Sequence, residues 1–296
     1  MTVLNSGISW TTGTLNLVIG CTHVSDACDL CYADTLVSRG ILKFRSKDFS
    51  ELSFHPERLK DLRRFLPARN AAGEMEPKCV FVNSLSDFWH EKIPKKFIWD
   101  ALDAFEEHPT IIFQILTKRP GRMRRLLTDR YDAGDVPENF WIGVTCEDNR
   151  VARGLDILRA TKRALGQFTA FASIEPITAP CDEIDLTDID WVLTGGESGP
   201  KARPMDVAWL DQAHDQVAWR GIPLHFKQWG RAANSPIVQR IMARTGLSAQ
   251  KAFTLAVSTG EELAPSEKGG ATYKGRVIQE KPRHWHALKS SLNALR

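Results

Sequence analysis

A chain of 296 residues with 43% apolar and 25% charged residues can bury a sizeable core and keep a hydrated surface, which excludes disordered and fibrous classes. Its net charge of +3 does not by itself demand a nucleic-acid partner, and no apolar run reaches the ~18–20 residues that cross a bilayer. The opening MTVLNSGISW lacks the basic and apolar regions of a secretory signal, so the expected compartment is the cytoplasm, where close-set cysteines bind metal or do redox chemistry more often than they pair.

LNLVIGCT (15–22) reads as a first strand, continuous and apolar as a strand buried on both faces should be. It runs into GCTHVSDACDLCYA, where Cys21-x6-Cys28-x2-Cys31 puts three of the six cysteines in one loop. SFHPERLKDLRRFL (53–66) is predicted helical, with Pro56 near its start and Leu59, Leu62, Phe65 and Leu66 on one side. Strand-like and helix-like stretches then alternate. The strands are CVFVNSLSD (79–87), TIIFQILTK (110–118), NFWIGVTCED (139–148), FTAFASIEP (168–176), DWVLTGGES (190–198) and PLHFKQWG (223–230). The helices between them are PKKFIWDALDAFEEH (94–108), RPGRMRRLLTDR (119–130), NRVARGLDILRAT (149–161) and MDVAWLDQAHDQVAWRG (205–221), the last stopped by Gly221 and Pro223.

This β-α rhythm predicts an α/β fold with parallel strands, a full or partial (β/α) TIM-type barrel over residues 1–230. Residues 231–296 break the rhythm and are expected to form a C-terminal extension packed on the barrel, with SEKGGATYKGR as a turn or hairpin.

In such a barrel the chemistry sits where the strands end. Those ends carry Cys21; Asn83, Ser84, Ser86 and Asp87; Thr117, Lys118 and Arg119; Thr145, Glu147 and Asp148; Ser173 and Glu175; Gly195, Gly196, Glu197 and Ser198; and Lys227, Gln228 and Trp229. Pro176 bars Glu175 from ordinary helix and keeps it extended. GGESGP allows close backbone approach through Gly195 and Gly196, as an anion or the carboxylate and amine of a small ligand requires. Lys118, Arg119, Arg122, Arg124, Arg125 and Arg130 make a basic run that reads either as a solvated helix face or as a phosphate-tracking patch. Trp89, Trp99, Trp209 and Trp219 fit helix packing, whereas Trp229 is placed to stack on a base or an adenine ring.

The three thiols admit two sites. A structural zinc site wants a fourth ligand, His23 or a distant residue. An iron–sulfur cluster held by three thiolates leaves one iron open. The missing fourth cysteine and the position at the strand mouth favour the cluster. Cys79 and Cys146 sit in or near apolar strands and read as buried thiols, with Cys146 close enough to approach the mouth.

A three-cysteine loop after the first strand of a barrel resembles the radical S-adenosylmethionine superfamily. ISW, GCTHVSDACDLCYA, NSLSDFWHEKIP, FQILTKRP, WIGVTCED, SIEP, GGESGPKARPM and FKQWG further resemble, in order over residues 7–230, a phage- and bacteria-borne family of unknown function with distant likeness to spore photoproduct lyase. The resemblance implies a [4Fe–4S] cluster on Cys21, Cys28 and Cys31. It implies S-adenosyl-L-methionine on the open iron, reductive cleavage to a 5′-deoxyadenosyl radical, and an electron donor such as flavodoxin or ferredoxin. By analogy, Gly195, Gly196, Glu197 and Ser198 hold the methionine amine, with Glu197 as its partner. Ser173, Glu175, Lys118 and Lys227 reach the ribose or carboxylate, and Cys146 relays the radical in a lyase-type reaction on nucleic acid or a nucleotide. The first cysteine gap is six where three is usual. Leu30 stands where an aromatic normally meets the adenine, with Tyr32 two residues on. The alternatives are a zinc-stapled binding protein without catalysis and a cluster enzyme that does not use S-adenosylmethionine.

Overall fold

The computed structural model describes residues 2–40, 48–166, 168–199, 201–266 and 268–294. One eight-stranded sheet organises it, with strands in sequence order: β1 (Thr2–Val3), β2 (Gly13–Leu15), β3 (Lys78–Val82), β4 (Ile111–Thr117), β5 (Phe140–Thr145), β6 (Thr169–Ile174), β7 (Trp191–Thr194) and β8 (Leu224–Phe226). Strands β2 to β8 are parallel throughout, with register set by pairs such as Gly13↔Val80, Phe113↔Phe140 and Phe171↔Trp191; only the short β1 runs antiparallel, on β2.

Successive side chains of a strand point to opposite faces, and here each face has its own core. Val80 and Val82 (β3), Phe113 and Ile115 (β4), Phe140, Ile142 and Val144 (β5), Ala170 and Ala172 (β6), Val192 (β7) and Phe226 (β8) join the core formed with the crossover helices. Those helices are α2 (Lys95–Glu106), α3 (Pro120–Arg130), α4 (Arg153–Leu165) and α5 (Val207–Arg220), preceded by the short α1 (Tyr32–Ser38). Ile98, Leu102 and Phe105 of α2, Met123 and Leu127 of α3, and Leu155 and Leu158 of α4 supply the helix side, the i, i+3, i+4 pattern that predicts them.

The opposite face carries a second cluster: Trp10, Cys79, Ile112, Trp141, Phe171, Trp191 and Leu193. Trp191 meets Trp141 at 5.4 Å and Trp10 at 6.2 Å, both edge-on. Gly143 makes room here, because a Cβ at that position would lie 2.3 Å from the Phe171 ring. Among the described residues the sheet is open, with β1 and β8 as its edges; a barrel closed by hydrogen bonds is not formed. The far edge of β8 is instead occupied by the chain near 280: Phe226 N donates to Ile278 O (2.8 Å) and Glu280 N to Leu224 O (3.0 Å). Covering an edge in this way satisfies its backbone groups as closure would.

Beyond β8, α6 (Pro236–Thr245) and α7 (Ala249–Ser258) share a small core of Ile237, Val238, Ile241, Ala252 and Ala256. Thr272–Tyr273 and Arg276–Val277 pair as the expected hairpin. The final helix, α8 (Arg283–Ala294), sets Trp285 and Leu288 against the tryptophan cluster. No helix among the described residues is long and apolar enough to cross a membrane.

Two sequence expectations are corrected. LNLVIGCT is not one strand: β2 stops at Leu15, and Val18–Ile19 pairs antiparallel with Ser53–Phe54. The cause is Asn83, whose side-chain Oδ1 accepts the Leu17 and Val18 N–H groups at 2.8 and 3.1 Å. The helix expected over 53–66 is a 3-10 helix, Pro56–Phe65. Leu59, Leu62 and Phe65 recur every three residues, the 3-10 repeat, and Leu62 and Phe65 are buried.

Candidate site at the strand ends

Along the tryptophan-bearing face, side chains turn polar toward the C-terminal strand ends. On β4 the inward positions read Ile112, Gln114, Leu116 and then Lys118; on β5, Trp141, Gly143, Thr145 and then Glu147; on β6, Phe171, Ser173 and then Glu175. Lys118 forms an ion pair with the buried Glu147. Lys227, after β8, lies 3.3 Å from Glu175, which also accepts from Ser173 Oγ at 3.3 Å. A carboxylate with so little water needs such donors to remain charged. The Glu175–Pro176 peptide is cis.

The cysteine loop leaves the sheet at this same end. Asn16 and Asn83 brace its root: Asn83 takes the Leu17 and Val18 N–H groups, and Asn16 Oδ1 accepts from Leu85 N (2.9 Å) and Ser84 Oγ (3.2 Å). Asn83 adopts a left-handed backbone (φ 57°), a conformation asparagine tolerates better than most residues. Gly20, at φ 105°, passes so near Glu51 that a Cβ would sit 2.3 Å from its carbonyl oxygen. Cys21 follows, its N–H donating to Phe49 O at 2.8 Å.

Two side chains from neighbouring strand ends hold the loop beyond Cys21. The Arg119 guanidinium donates to Thr22 O (2.9 Å) and Thr22 Oγ1 (2.8 Å), and pairs with Glu91. His90 Nε2 lies 2.9 Å from the same Thr22 hydroxyl, while His90 Nδ1 accepts the Lys92 N–H at 3.1 Å. Burial and the nearby Arg119 push His90 down to about 4. On the other side, Ser25 Oγ donates to Glu147 at 2.8 Å and lies 3.8 Å from Cys28 Sγ. Ser25 precedes the single 3-10 turn Asp26–Cys28.

Cys21 and Cys31 pack on one apolar cluster of Ile19, Ala33, Val37, Phe49 and Leu85. Burial, with Asp87 adding to it and Arg119 opposing it, pushes the Cys21 thiol up to about 11; burial also raises Cys31. A cavity of about 360 Å³ opens beside Cys21, lined by Thr22, His23, Asp34, Asp48, Phe49 and Ser50. His23 is turned to Asp29 and Asp34 at 3.6 and 3.5 Å. Tyr32, half exposed, donates to Ser84 O.

Several expected participants lie elsewhere. Cys146 belongs to the helix-side core, its Sγ 3.4 Å from Asp148 O, and burial pushes it up to about 12. Alternation explains this, since the adjacent Glu147 faces the mouth and Cys146 must face away. Glu197 is held by Arg203, through Nε at 3.0 Å and a terminal nitrogen at 2.7 Å, and by the Arg203 N–H at 2.8 Å. Gly196 N donates to Gln228 O at 2.9 Å and Gly196 O accepts from the Gln228 side-chain Nε2 at 3.1 Å; a Cβ there would lie 2.3 Å from Trp229 O, so it serves a close crossing of two chain segments. The adjoining Gly195 O accepts from Ile177 N at 3.0 Å, and Ser198 is half-buried. Trp229 is fully buried, its Nε1 donating to Thr272 O at 3.0 Å, and offers no stacking face. Trp219, expected in helix packing, is 82% exposed. The basic run is largely engaged: Arg130 with Asp103 and Glu106, Arg122 with Ile93 O, and Arg119 with the cysteine loop, leaving Arg124 and Arg125 exposed on α3.

Among the described residues, no three His, Cys, Asp or Glu side chains are gathered as a ready metal site. The donors themselves suit iron–sulfur ligation: three unpaired thiols on one loop, two of them on a common apolar bed.

The model of a protein family described as "Protein of unknown function (DUF5131)" matches residues 5–282. The chain belongs to that family. No curated protein matches the sequence. Among solved structures, spore photoproduct lyase complexed with dinucleoside spore photoproduct is similar at 10% identity and a TM-score of 0.47, covering 74% of this chain and 77% of that one. A variant of that lyase with the same dinucleoside gives 11% identity and 0.46 over the same shares.

Proposed function

We propose that this protein is a radical S-adenosylmethionine-type enzyme that holds a [4Fe–4S] cluster through Cys21, Cys28 and Cys31. The observation that carries the reading is placement. The three-thiol loop emerges at the C-terminal ends of parallel strands and is tied by Arg119 and Glu147 to the two strand ends that the Lys118–Glu147 ion pair joins. When bound, a three-thiolate cluster supplies one open iron for S-adenosylmethionine and the electron that cleaves it.

The chain's own groups divide the remaining work. Lys118 and Lys227 offer N–H donors to a carboxylate or a ribose hydroxyl, and Glu175 offers an acceptor to an amine or hydroxyl. Ser173 helps orient Glu175. Glu197, taken by Arg203, orders its loop and leaves the amine to other partners. The tryptophan layer packs on the same face of the sheet, before these strand ends. A nucleic-acid or nucleotide substrate would meet the exposed Arg124 and Arg125, and binding through them would weaken steeply with salt.

Protein prepared without oxygen is expected to be brown, to absorb near ~400 nm and to hold about four irons per chain. With dithionite and S-adenosylmethionine it is expected to release 5′-deoxyadenosine. Colourless protein with one tightly held zinc would overturn the reading, and cluster-loaded protein that releases no 5′-deoxyadenosine would overturn its cofactor half. Cys28→Ala is expected to lose most of the iron with the thermal transition unchanged; wild-type iron content would refute the ligand assignment.

A further inference from the structure

Arg119 ties the cysteine loop to the end of β4 and has no part in the chemistry assigned above, yet it is heavily engaged. Its side chain is only 8% exposed. One terminal nitrogen reaches both the backbone oxygen and the hydroxyl of Thr22, the residue next to Cys21, at 2.9 and 2.8 Å. The other terminal nitrogen is fixed by Glu91, and Nε lies 3.9 Å from the buried Asp87. Asp87 is itself held by Thr117 Oγ1 at 2.8 Å, Lys118 N at 3.0 Å and Trp89 N at 2.9 Å. The guanidinium is therefore held by Glu91 through one terminal nitrogen and presents the other to the loop. The planar guanidinium spans Glu91 and Thr22 with its two terminal nitrogens, whereas a lysine ammonium would have to serve both from a single nitrogen.

We propose that Arg119 is a positioning residue that clamps Thr22, fixes the orientation of Cys21, and keeps a positive charge beside the metal site, raising the reduction potential of the group bound there. The inference rests on the cluster reading for its redox half. Hydrogen bonds and charge close to ligating sulfurs are general determinants of cluster potential. Thr22 carries the geometric half by itself, since its hydroxyl also meets His90 at 2.9 Å.

The test compares wild type, Arg119→Gln and Arg119→Lys as full chains reconstituted with iron and sulfide without oxygen. Iron per chain, the electron paramagnetic resonance spectrum of the reduced cluster and its midpoint potential are read. Arg119→Gln is expected to keep its iron, to change the g-values and to titrate at a more negative potential. Arg119→Lys is expected to recover much of the potential but not the spectrum. Equal spectra and potentials in wild type and Arg119→Gln would overturn the proposal. If Arg119→Gln fails to fold or load, Thr22→Val decides: an altered spectrum supports the clamp and an unchanged one overturns it. Failure of the cluster reading itself would show separately, as wild-type protein that takes up no iron. In that case amide hydrogen exchange over residues 20–24 of the metal-free chain tests the clamp, with exchange about tenfold faster in Arg119→Gln expected and equal exchange refuting it.

Discussion

The two ends of the sheet's tryptophan-bearing face are built from the same strands at the same alternating positions, yet they obey opposite rules. Near the strand starts, Trp10, Trp141, Phe171 and Trp191 are buried ring against ring. Four to six residues further along, the same strands present Lys118, Glu147 and Glu175 in ion pairs. The lower layer stabilises by area and close packing, and the upper layer holds charges that cost free energy to desolvate and are kept by mutual pairing. A parallel sheet imposes this division because all its C-terminal ends open on one side.

The sharpest way to break the comparison is to empty the lower layer. Trp191→Ala, at a fully buried residue that touches Trp10, Trp141, Phe171 and His225, is expected to cost about 3–5 kcal/mol, read by urea denaturation.

A smaller effect comes from His225, which sits at the edge of that layer with Ser9 Oγ 2.9 Å from its Nε2. Burial first, then Lys281 and Lys227, push His225 down to about 3. The unfolded chain takes up that proton below about 6.5 while the folded chain refuses it until about 3, so stability falls as pH drops through this window. Between pH 7 and pH 5 this residue is expected to account for a loss of about 2 kcal/mol. His225→Asn should show that much less pH dependence in paired denaturation curves.

In the upper layer, Lys118→Met leaves the buried Glu147 without its cation. Because Lys118 is partly exposed, the cost is expected to be about 1–2 kcal/mol, and adding Glu147→Gln should restore part of it in a double-mutant cycle. Arg124→Ala, on the exposed side of α3, is expected to change stability by less than about 0.5 kcal/mol, which thermal melting can check.

Much of this was legible from sequence. Continuous apolar runs ending in polar residues marked six of the parallel strands, and i, i+3, i+4 spacing marked the crossover helices, because burial against a sheet leaves that trace in any chain. The clustered strand ends marked the Lys118–Glu147 and Glu175–Lys227 level of the mouth. Asn83 was legible only as a polar strand end. Its role in ending β2 at Leu15 depends on a side chain that reaches across 66 positions to two backbone N–H groups, and no local pattern encodes that reach.

What the sequence determined alone is the α/β class, the order of the strands and the three-thiol loop at their exit, since each follows from local periodicity and spacing. What only the tertiary structure decided is which polar groups are already spent. Glu197 is taken by Arg203, Trp229 is buried, Cys146 faces the helices, and Arg119 is drawn from the basic run to hold Thr22. The physical reason is that pairing and burial are set by neighbours far apart in the chain, and one residue's alternation along a strand is enough to turn a thiol from the mouth into the core.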